Sequence, residues 1–286
     1  VNGIFSYERP NFANTDNTLI TSFRSTTSDQ LTDYGFKTEN TGFSLGSSFE
    51  QYENTKLSPS FSIDYEDMET NATASTNLKK QQGTYLDAYI NYSLDYDLRD
   101  LKYQTTEGSR TIWYQALPVH SENYEIVNGI THTIYTPLIN DMVGRLSVYT
   151  RAVNALGSDK DVRLSKRLYI PSRRLRGFQS GKIGPIDNGA YVGGNYVSTL
   201  NVSTTLPRIL PDFQNTDLSL FFDAANVWGV DYDDTIKDNS TIRSSLGVAL
   251  DVNTVIGPLN FSLSQPITKH SSDKTEIFRF NLGTTF

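Results

Sequence analysis

The strongest constraint on this chain is the strict alternation of its last third. In Asp217–Trp228, Leu218, Leu220, Phe222 and Ala224 fall on one face, and Ser219, Phe221, Asp223 and Ala225 on the other. Arg243–Val252 sets Leu246, Val248, Leu250 and Val252 against Ser245, Gly247, Ala249 and Asp251. Leu259–Gln265 sets Leu259, Phe261 and Leu263 against Asn260, Ser262 and Ser264. Glu276–Phe286 sets Phe278, Phe280, Leu282 and Phe286 against Ile277, Arg279 and Asn281. Successive side chains of a strand point to opposite faces, so these runs form a sheet with one apolar and one polar face. Helical periodicity is weak throughout.

Two architectures use such strands. A soluble sandwich turns the apolar face inward. A membrane barrel turns it outward to lipid. Here the polar face is rich in Ser, Asn, Gly and Ala, which suits a wet, crowded lumen. The chain also ends on an aromatic residue, Phe286, in a strand, as bacterial outer-membrane barrels do. The expected fold is therefore all-β: a transmembrane, antiparallel, up-and-down β-barrel.

The first half fits the same plan. Strand-length runs lie near Val1–Glu8, Thr18–Thr27, Gly35–Gln51, Leu57–Asp67, Thr84–Asp97, Ser109–Val119, Tyr124–Tyr135 and Val143–Val153. Asn, Asp, Ser, Thr and Gly separate them, as turns require. Asn71–Gln82 is the longest separator of this half and reads as an exposed loop. With the second half, about 13 strands are expected. No stretch approaches the roughly 18 consecutive apolar residues of a membrane helix.

Composition narrows the function. Without cysteine the chain can hold neither a disulfide framework nor a Cys-type zinc site. A net charge of -7 argues against general nucleic-acid binding. The 17 Tyr and 15 Phe suit strands and membrane girdles. The start, Val1-Asn2-Gly3-Ile4-Phe5, has no basic or apolar leader and already reads as a strand, so the expectation is a start processed or cut inside a domain.

One segment breaks the strand pattern. Bacterial barrels alternate short periplasmic turns with longer outer loops. Counting back from a periplasmic C-terminus puts His270–Thr275 outside, Asn253–Pro258 inside, Gly229–Thr241 outside, Pro207–Thr216 inside and the long Asn154–Asn188 outside. That loop carries the densest positive run of an acidic chain, Arg173-Arg174-Leu175-Arg176-Gly177-Phe178-Gln179-Ser180. Loops so long without secondary structure are uncommon unless functional. The expected seat for its charge and its ring is the barrel lumen.

Other chemistry finds little support. Gly177–Ile183 mimics a P-loop but is one residue short and lacks the Ser or Thr after Lys182. His120, His132 and His270 have no ligand spacing. There is no Gly-x-Ser-x-Gly elbow. Asp231-Tyr232-Asp233-Asp234 could hold a divalent cation, but a solvated acidic tip is the expected reading. No metal and no cofactor is expected, and no enzymatic activity.

The loop motif resembles the Arg-Gly-Phe loop of the outer-membrane assembly-factor superfamily, also called bacterial surface antigens. Ile183-Gly184-Pro185 follows it, as in the family, and Val192-Gly193-Gly194-Asn195 is similar to the start of the next strand. Phe221-Phe222-Asp223-Ala224-Ala225-Asn226-Val227-Trp228 resembles the family's Phe-Phe-Asp strand. Ile256-Gly257-Pro258-Leu259 with Gln265-Pro266 resembles the penultimate strand, and Phe280–Phe286 the closing one. The specific motifs cover residues 163–286. Before them, Leu98-Arg99-Asp100 and Glu107-Gly108-Ser109-Arg110 sit at a strand junction of the family. The nearest likeness is to the branch that assembles β-barrels.

The resemblance implies a sixteen-stranded barrel, with three N-terminal strands, periplasmic POTRA repeats and a signal peptide outside this chain. It implies that Arg176 pins the loop to Asp223 on the inner wall. Asn201 stands where the family often has a second acid, with Asp251 a possible substitute. Gly177, Phe178 and Gln179 would complete the loop motif. The closing strand, with Phe280, Gly283 and Phe286, would form one side of a seam at which client strands are templated. The implied function is folding and insertion of β-barrel proteins into the bacterial outer membrane. Implied partners are unfolded outer-membrane proteins, accessory assembly lipoproteins bound mainly through POTRA repeats, and the lipid bilayer. The alternatives are a sibling translocation or two-partner secretion barrel, a passive channel, or a barrel fused to a lipase.

Overall fold

The computed structural model describes residues 2–157, 161–206, 216–236, 241–254 and 257–282. The strands are β1 (Gly3–Arg9), β2 (Thr18–Gln30), β3 (Phe36–Tyr52), β4 (Thr55–Thr70), β5 (Gly83–Asp97), β6 (Gly108–His120), β7 (Glu125–Pro137) and β8 (Val143–Ala155). Then come the short β9 (Ile186–Asp187) and β10 (Ala190–Tyr191), followed by β11 (Tyr196–Thr205), β12 (Thr216–Trp228), β13 (Arg243–Thr254), β14 (Gly257–Thr268) and β15 (Phe278–Leu282). A 13-stranded sheet runs β1 to β8 and then β11 to β15. Every neighbour is antiparallel, and β8 pairs directly with β11. The pair β9–β10 is a small hairpin inside the long connection. The strand count and the order match the sequence expectation.

Burial gives the sheet its polarity. On β12, Phe222 is 38% exposed while its neighbour Asp223 is fully buried. Phe23, Phe43, Phe61, Ile90, Trp113, Ile130, Leu146, Leu200, Leu246, Leu263 and Phe280 share the exposed face. This face is the lipid belt of a barrel. Stacked Tyr196 and Trp228, 5.7 Å between centroids, mark its long-loop end. A polar row crosses the belt there, and it satisfies itself. Tyr92 donates to Gln115 at 2.5 Å, and Gln115 to Asn128 at 2.5 Å, on adjacent strands in register.

The apolar core lies on the other face, between the wall and the long connection. Leu168, Ile170, Leu175, Phe178 and Ile183 of the connection pack with Val153, Val197, Ala225 and Val227 of the wall. A second cluster joins Phe36, Met68, Leu78, Leu164 and Val192. One loop touching β3, β4, β8, β11 and β12 requires the sheet to curl around it. Among the described residues, β1 and β15 are the edges of the sheet.

The connection 71–82 corrects one expectation. It is not simply an exposed loop. Thr76–Lys79 forms a helical turn, α1, capped by Ser75, which accepts from Leu78 N. Leu78 is fully buried, and Ser75 also donates to Asp187 at 2.6 Å. A lumen filled by a loop offers apolar surface even to the connections above it.

The β5–β6 junction shows what its sequence motif does. Arg99 holds Asp97 through two bonds of 2.8 Å, and Arg110 holds Asp95 at 2.9 and 2.6 Å. Asp100 accepts from the Thr106 hydroxyl at 2.6 Å, and that bond first of all lowers its pKa to about 2. Gly108 has φ +101, and a Cβ there would meet Leu98 O at 2.2 Å. Such backbone tolerates only glycine. Gly108→Ala should destabilise the barrel by about 1–3 kcal/mol. A lowered urea midpoint of the heat-modifiable band measures it, and an unchanged midpoint refutes it.

Candidate functional site

The long connection from β8 to β11 descends along the polar face and is pinned at several points. The first is its arginine motif. Arg176 Nε donates to Asp223 Oδ2 at 2.7 Å and Nη2 to Oδ1 at 2.8 Å. The Arg176 amide adds a third bond to Oδ2 at 3.1 Å. Asp223 has no exposed surface. Alternation places it inward because Phe222 and Ala224 face out. The guanidinium carbon lies 3.3 Å from the centroid of Phe221, so the same strand supplies carboxylate and ring. A bidentate fork of this kind suits Arg and not Lys.

Asn201, opposite Asp223 in register on β11, completes the seat. Its amide donates to Asp223 Oδ1 and to the Arg174 carbonyl, both at 2.8 Å. It thus links loop and wall without adding charge. Asp251 does not help in this way: its carboxylate takes the Asn260 amide at 2.5 Å, one strand further on.

Gly177 has φ +88, and a Cβ there would stand 3.1 Å from Ser245 Cβ and 3.2 Å from Ser264 Cβ. Small wall residues and glycine together let the backbone touch the sheet, where Ser245 Oγ donates to the Arg176 carbonyl at 2.5 Å. Phe178 is buried in the lumenal core. Gln179 contributes its main chain: its N–H donates to Lys274 O at 2.9 Å, while Glu276 N–H donates to Gly177 O at 3.0 Å. The loop tip is therefore paired with the connection leading into β15.

Of the expected seam residues, Phe280 faces outward and packs on Phe261 at 5.0 Å. Gly283 and Phe286 lie outside the described residues.

Three features escaped the sequence reading. Arg279, inward on β15, donates to the carbonyls of Ser172 and Phe178 and to Glu276 Oε2 at 2.9 Å. Its only sequence signal was a charge on the polar face of the closing strand. Second, Arg163 is fully buried against the opposite wall. It pairs with Asp87 and lies 3.5 Å from Glu66, its amide donates to Glu125 at 3.1 Å, and it stands 4.0 Å over the Tyr85 ring. Lys166 adds a contact to Asp87 at 3.2 Å. Third, Asp231 is exposed, as a tip would be, but it is also tied to the loop. It pairs with Arg167 and takes Asn195 at 2.8 Å and the Val162 amide at 2.9 Å. Asp233, by contrast, holds Thr235 and Asn77, and those bonds lower its pKa.

Removing one member of a buried pair costs about 3–5 kcal/mol. Arg176→Ala and Asp223→Ala should each approach that loss, and the double variant should lose far less than the sum. Arg176→Lys should restore little, since it keeps the charge but not the fork. Urea unfolding followed by heat-modified gel mobility gives all four values. Additive single effects would refute the coupling.

Comparison with known proteins follows this geometry. The family model of the Omp85 superfamily domain matches residues 2–286. The outer membrane protein assembly factor BamA of Neisseria meningitidis serogroup B is 35% identical over 141 residues, 39% of this chain and 17% of that protein. BamA of Neorickettsia risticii is 26% identical over 150 residues, 51% of this chain and 20% of that protein. The matched region thus spans a fifth or less of the length of these curated relatives. Among solved structures, BamA from Haemophilus ducreyi lacking POTRA domains 1-3 superposes with TM-score 0.84 at 23% identity, over 98% of this chain and 61% of that one. CdiB from Acinetobacter baumannii gives TM-score 0.61 at 14% identity, over 98% and 49%. At these identities the structural likeness is one of fold. With the family match over nearly its whole length, the chain belongs to the Omp85 superfamily, as an integral β-barrel of the bacterial outer membrane.

Proposed function

We propose that this chain is the membrane part of an insertase, which folds other β-barrel proteins and inserts them into the outer membrane. The observation that carries the proposal is the closing strand tethered to the lumenal loop. Among the described residues, β15 pairs with β14 from Leu259↔Leu282 to Leu263↔Phe278. β15 stands at one end of the described strand order and β1 at the other. Unpaired N–H and C=O groups on an edge template the addition of another strand. A client strand would add there and its barrel would grow sideways into lipid. Hydrogen bonding alone drives such a step, so no covalent chemistry is needed.

The lumenal loop has a defined part in this proposal. Arg279 ties β15 to the Ser172 and Phe178 carbonyls, and Arg176 ties the same loop to β12. The loop is the brace that keeps the closing strand in position. The clients are unfolded outer-membrane barrels. Accessory assembly lipoproteins would act with it, through regions other than this barrel wall. The named BamA relatives support this choice over a translocation or secretion barrel, the alternative to which the CdiB fold likeness points. A filled lumen counts against a passive channel.

Arg279→Gln and Arg176→Ala in the full-length protein should slow insertion of an unfolded barrel client into liposomes several-fold. A photo-crosslinker at Phe280 should capture the client's terminal strand. Uncatalysed-like rates with the unaltered protein, or full rates in both variants with no crosslink, would sink the proposal. Capture of a secreted substrate instead would favour the secretion barrel.

A further inference from the structure

The lumenal arginines divide into two sets. Arg163, Arg176, Arg243 and Arg279 each meet a carboxylate, and Arg243, for example, holds Asp273 at 3.0 Å. Arg145, Arg151 and Arg174 do not: among the described residues none of them forms an ion pair. All three lie on the wall around β8. Arg145 and Arg151 alternate inward with Ser147 and Tyr149, and Arg174 descends from the loop to donate to Ser147 Oγ at 2.8 Å. Each leans on a tyrosine instead: Arg145 on Tyr135 at 5.9 Å, Arg151 on Tyr114 at 5.4 Å and Arg174 on Tyr149 at 5.0 Å. Arg151 Nε is buried with no hydrogen-bond partner.

Space adjoins this charge. Register sets Arg151 against Gly129 of β7, which has no side chain to cover it. A cavity of about 200 Å³ opens there, lined by Ile112, Tyr114, Gly129, Thr131, Tyr149 and Arg151. A Cβ at Gly129 would lie 3.6 Å from Arg151 Cγ, so the glycine keeps that space open. Arg cannot shed its proton in a protein. A guanidinium with no carboxylate partner beside an open lumenal cavity has the chemistry of an oxyanion seat, since its planar fork fits such groups. Pockets for organic ligands run to roughly 300–1,000 Å³. This one is smaller, and suits a free tetrahedral anion with a little water.

We propose that the lumenal wall of β6–β8 binds a small oxyanion of the phosphate class in this cavity. Arg151 donates to it, Tyr114, Tyr149 and Thr131 are within the lining, and Arg174 adds charge from the loop. The bound anion answers positive charge that the wall leaves uncompensated and holds the loop more firmly to β8. Binding to the folded state alone raises stability by mass action.

The test uses the full-length protein in a non-ionic, phosphate-free detergent. Inorganic phosphate is titrated at ionic strength held constant with chloride, and binding is read by calorimetry and by the unfolding midpoint. The expected result is saturable binding to one site and a midpoint that rises with phosphate. Arg151→Gln should weaken binding by about tenfold or more, the worth of a charge-assisted bond. Gly129→Leu keeps every arginine and fills the cavity, so it should abolish binding. Arg174→Gln, on the loop rather than the wall, should weaken it less. The heat-modifiable band checks that each variant folds, and a variant that fails leaves the other two to decide. No saturable binding by the unaltered protein overturns the proposal. So does binding that survives Arg151→Gln, or that Arg151→Gln weakens while Gly129→Leu leaves it intact. In a parallel arm, vesicles containing a lipid with a phosphate monoester should not compete with free phosphate. Competition there would assign the site to a lipid headgroup and overturn the free anion.

Discussion

A guanidinium inside a barrel must be answered where it stands, because it cannot become neutral. Much of the lumen of this protein follows from that. Arg163 meets Asp87, Arg167 meets Asp231, Arg176 meets Asp223, and Arg243 meets Asp273. In each pair a connection at the long-loop end, or a strand rim beside one, is fixed to a wall or to another connection. Charge pairs of this kind are poor sources of net stability, since desolvation offsets much of the attraction. Their value is geometric. They give a forty-residue connection one seat in a space where apolar contacts alone would allow several.

The apolar part then follows the charges. A barrel wall has no second sheet to pack against, so its inward apolar residues need a partner from elsewhere. Val153, Val197, Ala225 and Val227 find it in Leu175, Phe178 and Ile183. Burying a Phe side chain contributes about 1.5–3 kcal/mol. The core of this protein is thus a loop, and the sheet is its envelope. Gly177 and the facing serines allow the closest approach, and the bidentate pair sets where it occurs.

The strands were legible in the sequence because period-two alternation over ten or more residues has one structural meaning. The same alternation placed Asp223 inward, and the loop motif supplied its partner Arg176. What the sequence hid were contacts with no local pattern. Arg163 meets Asp87 across 76 positions of chain, and nothing near either residue signals the other. Arg279 binds carbonyl oxygens, which every residue possesses, so no partner could be read off. Leu78 lies in a separator whose Asn, Thr and Ser composition reads as exposed. Its burial depends on a lumen that the loop fills. The partner of Asp231 was hidden for the same reason: its cation, Arg167, comes from the loop.

Arg279 sets the relation between this interior and the edge of the sheet. The outward face of β15 meets lipid, which offers it no hydrogen bonds. The inward face supplies what is missing: one side chain reaching two loop carbonyls, with the Gly177–Glu276 and Gln179–Lys274 main-chain bonds beside it. A strand held from inside, and not only along its edge, can keep its place while that edge is free to exchange partners. Had β15 been secured by its ladder alone, exchange would require breaking every bond that holds it. Had it been held by nothing, the edge would fray and template poorly. Under the proposed insertase role, the loop would let one strand be both fixed and available, and this would tie the buried charge pairs on the far wall to events at the membrane edge.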